Sequence, residues 1–354
     1  MKSVLVALAF VFPFFTAQAG TPPPGTLNIP DLVERVDKGV VNIQAVTLVR
    51  ERVAMDPVFE DFIFQMYGVS RERIRKQPSL GSGFVIDEEG YILTNNHVVE
   101  RASEVEVYFD DGKKTRLKAK VIGVDKKADL ALLQVKPGPY LRPLPLGNSD
   151  LVKVGESVVA IGNPFALSHT VTAGIISAKN RVIGAGPFDN FLQTDASINP
   201  GNSGGPLFSA AGEVIGINTA INAQGQGLGF AIPINQAKKM LPDLKKHGRV
   251  LRGWLGALLT STPEGTFVDG VVLRSAAFKA GLKSGDRVVE VEGKKIEEQA
   301  EVERVLEDRR PGDTISFVVE RDGAVGNQLV RRRQTYKVQL GEEPEGRELP
   351  RGLI

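Results

Sequence analysis

From about position 28 to 233, short apolar runs alternate with turn residues. Residues 83–86, 104–109, 130–135, 157–161 and 213–218 are runs of β type. Asp87-Glu88-Glu89-Gly90 and Asp110-Asp111-Gly112 have hairpin-turn composition. Many short strands at this spacing predict an all-β barrel or sandwich. Two stretches depart from the pattern. Phe59, Phe62, Ile63, Met66 and Tyr67 fall at helical spacing within 56–68, and Ile29, Leu32, Val33 and Val36 form a shorter helical stripe. That stripe suits packing on the chain's own barrel or against another subunit. A helix is predicted over 234–247, with Asn235 as a candidate N-cap and Gly248 as its stop. A second unit follows, over about 251–340. It has strands near 270–273, 287–291 and 314–320, and helices near 276–280 and 297–308.

The two ends read differently. Lys2, an apolar run over 4–15 broken only by Pro13, and Ala17-Gln18-Ala19 make a secretory signal with its cleavage site. The run is short for a membrane span; an uncleaved N-terminal anchor is the alternative. The expected layout is a signal peptide over 1–19, a Pro-rich flexible lead over 20–27, a first domain over 28–248, a second over 251–341, and a charged, disordered tail over 342–354.

Composition narrows the chemistry. The 354 residues suffice for two cores, and a net charge of +2 creates no strong field toward nucleic acid, so no nucleic-acid partner is expected. Arg331-Arg332-Arg333 reads as a solvated strand edge. The chain has no cysteine, which excludes disulfides, a thiol nucleophile and Cys-based metal sites. His169 and His247 lack spaced metal-ligand partners, and no Gly-Lys-Ser/Thr of a P-loop occurs. No metal, cofactor or ATP requirement is therefore expected.

Among only three histidines, His97 lies at the end of an apolar strand, in Leu93-Thr94-Asn95-Asn96-His97-Val98-Val99. Asp129 opens another, in Ala128-Asp129-Leu130-Ala131-Leu132-Leu133. Ser203 sits in Gly201-Asn202-Ser203-Gly204-Gly205-Pro206. A serine hydroxyl needs an adjacent base to become a nucleophile, and the base needs a carboxylate to fix its tautomer. The glycines permit a turn tight enough for backbone N–H groups to face a developing oxyanion. Alone, each residue has a plainer reading as loop, structural histidine or cap. Together their order, His–Asp–Ser, is that of the chymotrypsin type. Asp125 and Asp195 are rival carboxylates, Asp195 the more serious.

These three segments, with Ile161-Gly162-Asn163-Pro164-Phe165 and Gly229-Phe230-Ala231-Ile232-Pro233, resemble the HtrA/Deg proteases over nearly the whole mature chain. The resemblance implies a mainly β fold, a chymotrypsin-like double β-barrel followed by a small α+β PDZ domain. It implies His97 as general base, Asp129 as its orienter, Ser203 as nucleophile, and the N–H groups of Gly201 and Ser203 as oxyanion hole. It places a substrate pocket near Ile198, Ile221, Asn222 and Leu228, which carries no charge. Arg252-Gly253-Trp254-Leu255-Gly256-Ala257 resembles a PDZ carboxylate loop, with Leu255, Gly256 and Ala257 as the peptide-binding residues. Trp254, bulkier than the family's Tyr or Phe, narrows the groove mouth. Residues 176–181 resemble the family's sensor loop, with Arg181 as regulatory arginine; Lys179-Asn180 replaces its common Leu-Gly.

The expected activity is an ATP-independent serine endopeptidase in the periplasm, a stress-response enzyme of protein quality control. Its expected partners are unfolded or mislocalised proteins as substrates, C-terminal peptides at the PDZ domain, and further copies of itself in a homotrimer or multiple of trimers. The alternative is a chaperone or scaffold that binds misfolded chains, with proteolysis secondary.

Overall fold

A computed structural model describes residues 28–52, 72–164, 169–183, 190–199, 201–219, 228–325 and 328–344. The signal segment, the stripe from Phe59 to Tyr67, and residues Ile221 and Asn222 lie outside these. A helix α1 (Ile29–Val36), capped by Asn28, leads into two closed six-stranded barrels. The first contains β1 (Val40–Arg52), β2 (Glu72–Val85), β3 (Tyr91–Thr94), β4 (Glu104–Tyr108), β5 (Arg116–Asp125) and β6 (Leu130–Gln134), in the order β1-β2-β3-β6-β5-β4. A one-turn helix α2 (Asn96–Val99) follows β3. The second contains β7 (Ser157–Gly162), β8 (Thr170–Arg181), β9 (Phe191–Thr194), β10 (Pro206–Ser209), β11 (Val214–Thr219) and β12 (Gly229–Pro233), in the order β10-β11-β12-β9-β8-β7.

The apolar runs of the sequence reflect burial on both faces of these strands. In β6, Ala131 and Leu133 fill the interior of the first barrel, while Leu130 and Leu132 face the seam between barrels. In β7, Val158 and Ala160 fill the second barrel, and Val159 and Ile161 face the same seam. Side chains alternate across a strand, so a strand covered on both sides loses its polar face and reads as continuous hydrophobicity. Leu32 and Val36 of α1 enter the seam core, and Ile29 and Val33 pack against it. The helical stripe therefore packs on its own chain.

Helix α3 (Ile234–His247) ends at Gly248, which takes φ +74° at the cap. Its N-cap is Pro233, so Asn235 is not the cap; it lies within the first turn, and its Nδ2 donates to Asn148 Oδ1 at 2.6 Å. The second unit contains β13 (Gly253–Trp254), β14 (Ala257–Thr262), β15 (Gly265–Val271), α4 (Ala276–Ala280), β16 (Arg287–Val291), β17 (Lys294–Lys295), α5 (Gln299–Glu307), β18 (Thr314–Val325), β19 (Gln328–Gln339) and β20 (Gly341–Glu342). Its sheet runs β14-β15-β16-β18-β19, which puts Arg331–Arg333 on an edge strand, as expected. The expected tail does not begin disordered. Glu342 pairs with Gly253, because the β13 backbone needs a partner beside the sheet.

The two units meet through charge. Arg252 forms an ion pair with Asp125, both nearly buried, and Arg310 pairs with Asp243 at 3.0 Å. Asp125 ends β5 and is 5% exposed. It is buried because its Oδ1 accepts from Ala128 N–H while its other oxygen meets Arg252.

Candidate active site

The site lies on the seam between the barrels. Strand β3 delivers Asn95 and His97 to the rim through the one-turn helix α2. The turn between β5 and β6 delivers Asp129, which takes φ +51°, a left-handed conformation that aspartate tolerates better than most residues. In it, Asp129 Oδ2 lies 2.7 Å from His97 Nδ1, and Oδ1 accepts the His97 backbone N–H at 2.9 Å. Thr219 Oγ1, at the end of β11, donates to the same Oδ2 at 3.2 Å. The Asp129 carbonyl accepts from Asn96 N–H and Asn95 Nδ2, both at 3.1 Å. The aspartate is thus held on side chain and backbone, and it fixes both the imidazole and the peptide that carries it.

The rival carboxylates are engaged elsewhere. Asp125 faces Arg252, and Asp195 Oδ1 accepts Ile175 N–H at 2.7 Å within the second barrel. The structure brings His97 to Asp129 and to neither of the others.

Ser203 lies in the tight turn before β10 and is 4% exposed. Gly201 takes φ +112° and Gly204 φ +82°. At Gly204 the glycine is required twice over, because a Cβ would stand 2.3 Å from both the Ser82 carbonyl and Thr94 Oγ1. The turn is bonded on both sides. Gly204 N–H donates to the Asn218 carbonyl at 2.8 Å, and Ser82 N–H donates to the Ser203 carbonyl at 2.9 Å. Asn202 closes the loop upstream, its Oδ1 accepting Asn199 N–H at 3.0 Å and its Nδ2 donating to Ser197 carbonyl at 3.1 Å. Since Gly204 abuts Thr94 and Asn95, the serine turn sits against the segment that carries His97.

A trypsin-like peptidase domain matches residues 81–217, and a PDZ domain matches residues 253–330. A protein of Ectopseudomonas mendocina named as a probable periplasmic serine endoprotease, DegP-like, is 40% identical; the alignment covers 91% of this chain and 73% of that one. The chain belongs to the HtrA/Deg family. A Halomonas elongata protein of the same name is 39% identical to this HtrA/Deg chain, covering 86% of it and 70% of the relative. Among solved structures, the HtrA-type protease AlgW with a decapeptide aligns at TM-score 0.72 and 34% identity, over 90% of this chain and 99% of that one. A serine endoprotease from Yersinia pestis aligns at TM-score 0.68 and 33% identity, over 89% and 98%. Fold and family together make this HtrA/Deg chain a serine endopeptidase with a chymotrypsin-like double barrel and one PDZ domain.

The other residues that the sequence singles out are placed as follows. Ile198 lies against Gly229, where a Cβ would meet its Cγ1 at 2.7 Å, and Leu228 beside it is 44% exposed. Arg181 ends β8 and donates Nε to Gln193 Oε1 at 2.9 Å, across its own hairpin. In the PDZ domain, Leu255 is buried and Gly256 takes φ +72°; a Cβ there would strike Ser275 at 2.2 Å. The Gly256 carbonyl accepts from Val272 N–H at 2.9 Å and Ser275 Oγ at 3.0 Å, which sets the loop before Ala257 opens β14. The Trp254 ring lies over the same glycine, 3.2 Å from that Cβ position. Sequence reasoning did not find Thr219 or Ser82. Neither stands in a motif of its own; Ser82 is marked only by the glycines on either side of it.

Proposed function

We propose that this endopeptidase degrades unfolded or mislocalised proteins in the periplasm without ATP, by an acyl-enzyme route carried by His97, Asp129 and Ser203. The observation that carries the reading is the Asp129 carboxylate on His97 Nδ1 at 2.7 Å. That contact keeps the proton on Nδ1 and leaves Nε2 to accept the Ser203 hydroxyl proton as Oγ attacks the scissile carbonyl. The N–H groups of Gly201 and Ser203 take the oxyanion. His97 returns the proton to the leaving amine, then activates the water that hydrolyses the ester. Asp129 stabilises the imidazolium in both halves.

Ile198 and Leu228 line the primary pocket, to which the family resemblance also assigns Ile221 and Asn222. None carries a charge, so small and medium apolar side chains are accepted, and a buried unpaired cation is not. Leu255, Gly256 and Ala257 hold the C-terminal carboxylate of a peptide added beside β14. The domain that binds it reaches the catalytic turn. Arg252, next to the carboxylate loop, pairs with Asp125, whose Oδ1 anchors the turn leading into Asp129. Arg181 gates the site from the other barrel, and the assembly is a trimer.

The test is turnover of casein by the full chain, with and without a C-terminal peptide, beside Ser203→Ala. A fluorophosphonate should label Ser203 in the wild type and leave the variant unmodified. Residual casein hydrolysis by the variant at the wild-type rate would remove Ser203 from the mechanism.

A further inference from the structure

The seam between the barrels is lined by Phe84, Leu93, Leu132, Val159, Ile161 and Phe208, yet two polar side chains, Asn42 of β1 and Ser82 of β2, are fully buried in it. Burying a hydroxyl or an amide costs free energy unless each is bonded, and an apolar residue would serve adhesion better. Ser82 Oγ both donates and accepts, whereas Asn42 is bonded through Nδ2 alone and its Oδ1 has no partner among the described residues; both side chains reach from the first barrel onto backbone of the second. Ser82 Oγ donates to the Gly201 carbonyl at 2.6 Å and accepts Asn163 N–H at 2.8 Å. Asn42 Nδ2 donates to the carbonyl of the same Asn163 at 2.7 Å. The Ser82 backbone is also engaged, its N–H with the Ser203 carbonyl at 2.9 Å and its carbonyl with Thr94 Oγ1 at 2.7 Å.

Ser82 therefore grips the serine turn at two points, the carbonyls of Gly201 and Ser203, which lie on the peptides either side of the one that carries Ser203 N–H; Gly201 N–H lies one peptide before the Gly201 carbonyl. A carbonyl held by a short hydrogen bond fixes the plane of its peptide, because the peptide is rigid. At Gly201 this matters most, since glycine at φ +112° has no side chain to restrain its rotation.

We propose that Ser82 is a positioning residue for acyl transfer: its hydroxyl relays Asn163 N–H to the Gly201 carbonyl and so sets the oxyanion-hole turn. The inference rests on the roles given above to Gly201 and Ser203. The hydroxyl touches no reacting atom; it holds the donors where the transition state needs them, and misplacement of such donors by a fraction of an ångström costs rate rather than substrate affinity.

The test compares wild type, Ser82→Ala and Ser82→Cys in the full chain. Alanine removes both side-chain bonds, and cysteine fills the space but bonds weakly. Each is assayed with a fluorogenic peptide taken from a mapped casein cleavage site. Each is also titrated with the matching peptide boronic acid, whose tetrahedral adduct places an oxygen in the oxyanion hole, and with the same peptide made uncleavable. Thermal melting reports folding. The expected result is kcat lower by about 10- to 100-fold for alanine and less for cysteine, with KM within about twofold of wild type. Boronate affinity should fall by the same factor as kcat, and affinity for the uncleavable peptide should hold. A fluorophosphonate should still label Ser203, slowly. Unchanged kcat in folded Ser82→Ala overturns the proposal. So does a loss of activity that follows the folded fraction in both variants while boronate affinity per folded molecule holds. Labelling at a residue other than Ser203 in the wild type defeats the underlying mechanism instead, whatever Ser82 does.

Discussion

The two halves of the candidate site are held in different ways. The His97–Asp129 half belongs to the first barrel and is set mainly by contacts within it: both Asp129 oxygens, its carbonyl, and the Asn95–His97 backbone close a local network. Thr219 enters from the second barrel. The Ser203 half belongs to the second barrel but is gripped from the first, by Ser82 N–H and Oγ. A base must keep one tautomer and one orientation, and a nearby carboxylate suffices for that. An oxyanion hole must keep backbone donors aimed into open space, and here Asn202 ties the turn locally while Ser82 holds it from across the seam. The comparison teaches that the orienting half is set mainly by its own barrel, whereas the nucleophilic half takes its contacts from both barrels.

The largest effect should come from Ser203→Ala. We expect kcat on casein-derived peptides to fall by about 10⁴-fold or more, with melting unchanged. Asp129→Asn probes the other half and should cost about 10³- to 10⁴-fold in kcat, since the amide favours the wrong imidazole tautomer. If the halves work as one unit, the double variant should be little worse than Ser203→Ala alone. Additive losses would break the comparison at its root.

Gly204→Ala tests docking itself. Its Cβ would press on Ser82 and Thr94 across the seam, and alanine disfavours φ +82°. We expect a loss of about 3 kcal/mol of stability in calorimetry, together with most of the activity. Arg252→Ala leaves Asp125 buried without its inter-domain partner, with a loss of about 3 kcal/mol expected. Stimulation by a C-terminal peptide should weaken with it. Full stimulation in a folded variant would move PDZ coupling to another contact. The smallest effect belongs to Thr219→Val, which deletes one hydrogen bond to Asp129. About 1 kcal/mol, or some five-fold in kcat, is expected, with KM unchanged.

Much of the protein was legible in its residues. The short apolar runs announced strands, and helix α3 has the predicted bounds. The serine loop was readable because a backbone oxyanion hole demands glycine beside the nucleophile, and few loops have that spelling. His97 was readable because so few histidines compete. The choice of Asp129 over Asp125 and Asp195 was not settled by local pattern; all three border strands, and only the family resemblance favoured one. The structure distinguishes them by their partners, His97, Arg252 and Ile175. The stripe of α1 was ambiguous for a similar reason, since an apolar face does not say what covers it.

The sequence by itself thus determined the residue types that the chemistry cannot do without, and their order along the chain. Tertiary structure alone decided which side chains hold them. Ser82 stands 119 positions from Gly201, Thr219 90 positions from Asp129, and Arg252 127 positions from Asp125. Each pairing depends on how strands close a barrel or domains meet. A hydroxyl or a guanidinium carries no local mark of a partner that only folding brings within hydrogen-bonding distance.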